Sequence, residues 1–516
     1  MADSSQLQTA ARAVHAALDY NSSPEARLAA SNFLESIDEY CPAKWKSQKQ
    51  FSNMCHTRVL KEIHLLKSGD VHILGATASA LVKEGSLSSE IRHYGLKLLQ
   101  HLVRMRWEEL TLVTKAQLAD LVLELVLEIA SSQGEWFLKS QTAALVAEVI
   151  RHEDLSLWQG LLLKLMELSS VSPAHAELVL MVMRWLPEDI TVYNEDLEGD
   201  RRRQLVHSLT EALLQIFPFF YKMLESHFLE TMKLLQNSQV ELAKQHAAVV
   251  NATLNALLAY VEWAPVDKLV ENGLIEACGF LLNAAEFRIR SCEIMKQIFL
   301  RKRPLDESSS IFDVAIRRIF EVLSQASASL QNPHARIKED DFEFAEYVAE
   351  ALVSMGTCHL QCFVGLQEHI TVLLNLMLGF YQYSKIVVHN LALQFWLAVL
   401  RDLPLDYEQS SRNQLTTGNL GVIQTINKEK KGVVIFLSDE VYVNLLQCTF
   451  KWYFQNSSKL AGSFRKSMEE ITDLKDYGNY RGRLVSDMFF SFLKTCDDYC
   501  LSKYFIHLFK KRFVEC

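Results

Sequence analysis

Leu118-Ala-Asp-Leu-Val-Leu-Glu-Leu-Val-Leu-Glu-Ile129 is the stretch that decides the fold class. Leu118, Leu121, Val122, Leu125, Val126 and Ile129 recur at i, i+3, i+4 and i+7, the period of one face of an α-helix. Leu123 and Leu127 widen the apolar arc. A helix apolar over so wide an arc must pack on more than one neighbour. The same stretch is the best candidate for a membrane span. Asp120, Glu124 and Glu128 break it short of the ~18 apolar residues a span needs, so no membrane insertion is expected.

Working outward, the same period recurs. In 91–107, Ile91, Tyr94, Leu98, Leu102 and Met105 form one stripe, with Arg92, Lys97 and Arg104 off it. Ser140–Ile150 and Ala174–Trp185 repeat the pattern. Further helices are predicted over 202–234, 239–262, 286–302, 309–330, 341–356, 364–403, 437–454, 480–495 and 499–512. Only 18 Gly and 9 Pro occur in 516 residues, which favours long helices joined by short turns. Gly432–Leu437 reads either as one strand or as a buried linker, and no Asn-Gly hairpin dipeptide joins two alternating runs. Helix pairs of about 40 residues without a clean period match a degenerate HEAT array, with separate helical bundles as the rival. The expected fold class is all-α: an α-solenoid of HEAT-like helix pairs, an armadillo-type superhelix. Linkers are placed at Asp189–Asp200, Pro304–Ser310, Asn332–Asp341 and Leu405–Lys431.

The residues offer little to an enzyme. There is no Gly-rich phosphate loop, and no motif sets a Ser, Cys or carboxylate beside His93 or His101. Cys358/Cys362 and Cys496/Cys500 are four apart but lack a second Cys/His pair, so neither metal nor cofactor is expected. Met1–Gln6 is polar, without the basic and apolar regions of a secretory leader. The net charge is −9; residues 421–516 carry +4 and residues 1–420 carry −13. That split is not the footprint of a simple nucleic-acid-binding domain. It suits a scaffold that meets a basic protein surface in one place and a polyanion in another.

Ser88-Ser-Glu-Ile-Arg-His-Tyr-Gly-Leu-Lys-Leu-Leu-Gln-His-Leu-Val-Arg-Met-Arg-Trp107 resembles an early helix of the exportin-5/HASTY family of karyopherin-β nuclear export receptors. Leu138–Arg151, Ala176–Leu180, Arg184–Arg203, Leu242-Ala-Lys-Gln-His246, Ala259–Pro265 and Arg301-Lys-Arg-Pro304 are similar to the plant branch. The resemblance runs from about residue 20 to about residue 404, with Tyr477–Arg481 a later remnant. Residues 42–66, including Trp45, Cys55 and His56, have no counterpart in it, and it resumes at Lys67-Ser-Gly-Asp70. Family members are more than twice as long, so full export activity is not assured for this chain.

The resemblance implies a right-handed superhelix that binds Ran-GTP and structured double-stranded RNA with a 3′ overhang, such as microRNA precursors. It also implies passage past nucleoporins and shuttling between nucleus and cytoplasm. Residues 1–110 would be the Ran-binding repeats, with 42–66 inserted, and 111–404 the exportin-1-like repeats. Residues 405–436 would be a flexible linker and 437–516 further helical repeats. Arg92, Lys97, Arg104, Arg106 and Trp107 are then candidate Ran contacts; the alternative is snorkelling arginines and a core tryptophan. Arg201, Arg202, Arg203, Lys428, Lys430 and Lys431 are candidate RNA contacts, since cationic side chains pair with phosphate. Glu195, Asp196, Glu198 and Asp200 lie just upstream and favour a local salt-bridge network instead. Arg301-Lys302-Arg303 suits a helix C-terminus. The alternative function is a non-catalytic helical scaffold that binds proteins without exporting RNA.

Overall fold

The computed structural model describes residues 70–85, 87–130, 136–152, 155–187, 199–305, 309–330, 339–383, 385–401, 422–426 and 434–438, with positions 441, 444, 445 and 448. The chain divides into two units, residues 1–263 and 264–516.

In the first unit the helices are α1 (Val71–Lys83), α2 (Ser89–Arg106), α3 (Leu112–Ala130), α4 (Trp136–His152), α5 (Leu155–Leu168), α6 (Pro173–Trp185), α7 (Gly199–Gln236) and α8 (Val240–Val261). Their starts are written in the sequence. The Asp70 carboxylate accepts from the amides of His72 (2.7 Å) and Ile73 (3.4 Å), capping two orphan donors of α1. Pro173 opens α6, where a missing N–H costs nothing. α1 packs on α2, α3 on α4, α5 on α6 and α7 on α8. In addition α2 packs on α4, α4 on α6 and α6 on α8, a continuous row of every second helix. The broad apolar arc of α3 meets that demand by facing both α4 and α6.

The second unit repeats the plan. It holds α9 (Val266–Glu271), α10 (Leu274–Leu281), α11 (Arg288–Leu300), α12 (Ser309–Leu330), α13 (Glu339–Cys358), α14 (Gln367–Tyr381) and α15 (Ile386–Arg401). α10 pairs with α11, α12 with α13 and α14 with α15, while α11, α13 and α15 form the row. Each unit is a run of stacked helix pairs, the all-α helical-solenoid class that the periodicity predicts.

Stacking leaves the last carbonyls of each helix without intrahelical partners. Side chains from elsewhere in the same unit fill many of these places. Arg92 Nε donates to Val82 O (2.9 Å), Arg151 to Trp185 O (2.6 Å) and the Tyr260 hydroxyl to Met183 O (3.1 Å). In the second unit His359 Nε2 meets Phe299 O (2.6 Å) and His389 Nδ1 meets Tyr381 O (2.5 Å). Arg301 closes α11 by donating to Ala264 O (2.5 Å), and Arg303 holds Asp313 through two bonds of 2.7 Å. Arg301 and Arg303 are thus structural.

Three details correct the sequence reading. The apolar run 364–403 is two helices, α14 and α15, broken after Tyr381 where buried His389 takes that carbonyl. The short helices α9 and α10 were not predicted; Gly273, at φ 67°, makes the left-handed turn between them. Within 405–436, a predicted linker, Val422–Ile426 (β1) pairs antiparallel with Val434–Ser438 (β2), Gln424 opposite Phe436. The strand reading of Gly432–Leu437 therefore holds, displaced by two residues at its start. Among the described residues no helix is long and apolar enough to cross a membrane. The predicted helices 437–454, 480–495 and 499–512 lie almost wholly outside the described residues.

Candidate partner-binding face

The row α2–α4–α6 carries a ridge of polar side chains that tie one pair to the next. Gln141 Nε2 donates to Gln100 Oε1 (2.6 Å), and Lys139 pairs with Glu177 at 3.2 Å. Near the C-terminal ends of α2, α4 and α6 the ridge becomes a charged cluster. Arg151 and Glu148, both buried, meet at 2.6 Å, and His152 Nε2 approaches the second Glu148 oxygen at 3.5 Å. Burial alone would raise the Glu148 carboxyl. The His152 hydrogen bond and the charges of Arg151 and Arg104 outweigh it and hold the carboxyl at about 2. Trp107 is buried beside this cluster, its ring 5.7 Å from that of His152 and 5.0 Å from Lys115 Nζ.

The five predicted Ran contacts fall on α2 and the turn after it, but in different settings. Arg92 pairs with Glu128 of α3 at 2.6 Å, with a side chain only 13% exposed. Arg106 grips Glu109 through Nε (2.9 Å) and a terminal nitrogen (2.5 Å), which raises the guanidinium and lowers the carboxyl. Trp107 packs as a core side chain. Lys97 is half-buried and Arg104 exposed, seven residues apart and so on one face of α2. Of the predicted RNA contacts, Arg202 is half-buried and Arg203 exposed near the start of α7. The side chain of Arg201 and residues Lys428, Lys430 and Lys431 lie outside the described residues.

Sequence reasoning passed over Glu148 and Arg151. The signal was present: two opposite charges three apart, on a stretch otherwise Ala, Leu, Val and Ile. Among the described residues no cluster of three or more His, Cys, Asp or Glu side chains is placed to hold a metal ion.

Comparison with known proteins says what this tied row of helix pairs resembles. Residues 135–295 match the family described as Exportin 1-like protein, and residues 339–488 match the Exportin-5 family. The chain is 38% identical to Protein HASTY 1 of Arabidopsis thaliana over 494 residues. It belongs to the exportin-5/HASTY family. That match covers 93% of this chain and 39% of HASTY 1. Exportin-5 of Dictyostelium discoideum is 25% identical over 63% of the chain and 29% of that protein. Exportin-5 of Homo sapiens is 25% identical over 67% of the chain and 26% of that protein. This exportin chain thus spans well under half the length of these relatives. The Dictyostelium discoideum and Homo sapiens relatives are exportins by name.

Proposed function

We propose that the chain works within a nuclear export receptor that binds Ran-GTP and structured double-stranded RNA with a 3′ overhang. The observation that carries this reading is the 38% identity to HASTY 1 along 93% of the chain. The receptor moves between nucleus and cytoplasm through the pore, where it meets nucleoporins. Stacked pairs joined only to their neighbours flex as a spring. Two partners that favour the same curvature raise each other's affinity, and loss of one releases the other. RNA is held through phosphates and A-form shape with little sequence reading.

The first test is a pull-down with Ran loaded with GTP or GDP; selective capture of the GTP form is expected, and equal capture would sink the reading. Arg104→Ala is expected to weaken Ran-GTP binding several-fold, beyond any loss of stability from its charge beside Glu148, so affinity is compared at a temperature where both proteins are folded. Arg92→Ala should instead lower stability, because it breaks the Glu128 pair and uncaps Val82 O. A ratio of affinities near one for Arg104→Ala removes that residue from the contact.

The second reading is a protein-binding scaffold. It draws on the internal partners of Arg92 and Arg106 and the burial of Trp107. Filter binding of a hairpin RNA separates the two. Phosphate-based retention falls steeply between about 50 and about 200 mM salt, whereas a scaffold retains no RNA at either.

A further inference from the structure

The Leu242–His246 stretch ends on α8 with His246, which is not among the candidate Ran or RNA contacts. His246 Nδ1 stands 3.0 Å from Nδ1 of His227 on α7, the ring centroids 4.9 Å apart and the planes tilted by 36°. Both rings are half-buried. Burial, and then the neighbouring His246, push His227 down to about 4, and burial also lowers His246 against the pull of Glu230. At that spacing one Nδ1–H donates to the lone pair of the other Nδ1. The spacing also suits a chelate: metal–nitrogen bonds of about 2.0–2.1 Å set two neighbouring nitrogen ligands about 3 Å apart. Glu230 sits one turn after His227 on α7, its two oxygens 3.2 Å from Lys233 Nζ.

We propose that His227 and His246 chelate a divalent transition-metal ion of the zinc or nickel class, clipping α7 to α8. Imidazole suits these ions, whereas magnesium and calcium prefer oxygen. Both Nδ1 lone pairs go to the ion. The ring that carried its proton on Nδ1 takes the Nε2–H form, so the pair releases no net proton. Water completes the coordination, and the Glu230 carboxylate adds only its charge nearby.

The full chain, stripped with a chelator and titrated near neutral pH with zinc chloride and separately with nickel chloride, tests this by calorimetry and amide hydrogen exchange. The expected result is one micromolar site with protection rising in α7 and α8. His227→Gln and His246→Gln should each weaken binding at least tenfold, and Glu230→Gln by less. Unchanged affinity in both histidine variants overturns the proposal. So does protection that rises elsewhere in the wild-type chain, a readout independent of how the variants fold.

Discussion

Arg151→Ala is expected to destabilise the first unit by about 3–5 kcal/mol, the cost of breaking a buried ion pair from one side. The Arg151 and Glu148 side chains are 6% and 5% exposed. Removing the guanidinium leaves the Glu148 carboxylate in the core with His152 as its main remaining partner. It also orphans the carbonyl of Trp185, which Arg151 caps at 2.6 Å across the α4–α6 contact. Two helix pairs therefore loosen together. Hydrogen exchange should show amides near the C-terminal ends of α4 and α6 opening in concert, while α1 changes little. A double replacement, Glu148→Leu with Arg151→Met, removes both charges and should recover much of the loss, since apolar side chains of similar volume can replace a buried pair at little cost. If the double variant is less stable than Arg151→Ala alone, the ion pair contributes more than its geometry implies.

The same carboxylate makes the unit acid-sensitive. Its folded value is about 2 against 4.5 when unperturbed, so the folded state favours the charged form. The stabilisation is complete above about pH 4.5 and is lost as pH falls toward 2; the gap corresponds to about 3 kcal/mol. Glu148→Gln should flatten this part of the stability–pH curve, checked by denaturant midpoints at each pH. An unaltered acid limb would place the sensitivity on another group.

How much of this was legible depends on the distance between partners. Helix α12 occupies the predicted span 309–330 because its apolar period ends cleanly at both sides. The break between α7 and α8 was legible too; Ser238 sits there at φ 59°, outside the helical region. The run 364–403 was misread although Gln382 and Lys385 interrupt its apolar residues at the break; the side chain that takes the freed carbonyl, His389, declares itself only through its bond to Tyr381 O. Among the charges, Arg106 had its partner Glu109 three residues away, within reach of a sequence reading. Arg92 did not: Glu128 lies 36 residues on and meets it only in the folded unit. A surface-contact reading of Arg92 therefore needed tertiary structure to weigh it. Glu148 and Arg151 were readable as an i, i+3 pair, but not their third partner, the carbonyl of Trp185, 34 residues from Arg151.

Gly95→Ala is expected to destabilise the α1–α2 pair by about 1–3 kcal/mol, although alanine is the better helix former by about 1 kcal/mol. A methyl group built at Gly95 would stand 2.8 Å from Val82 Cγ2, 2.9 Å from Leu81 Cβ and 3.0 Å from Ala78 O. Val82 could rotate, but the Leu81 Cβ and the Ala78 carbonyl move only with α1 itself. The close approach is thus a property of the two backbones, and the substitution must push the helices apart. Gly160 gives the opposite sign. It lies inside α5, exposed, with nothing within 4 Å of its added methyl, so Gly160→Ala should stabilise by up to about 1 kcal/mol. Local hydrogen exchange is the measurement of choice, because stacked repeats can open separately and a single melting temperature averages over them. Faster exchange in α1 and α2 for Gly95→Ala, with slower exchange in α5 for Gly160→Ala, ties the sign to helix spacing. Two changes of the same sign would mean that helix propensity, and not the packing of α1 on α2, governs this end of the exportin.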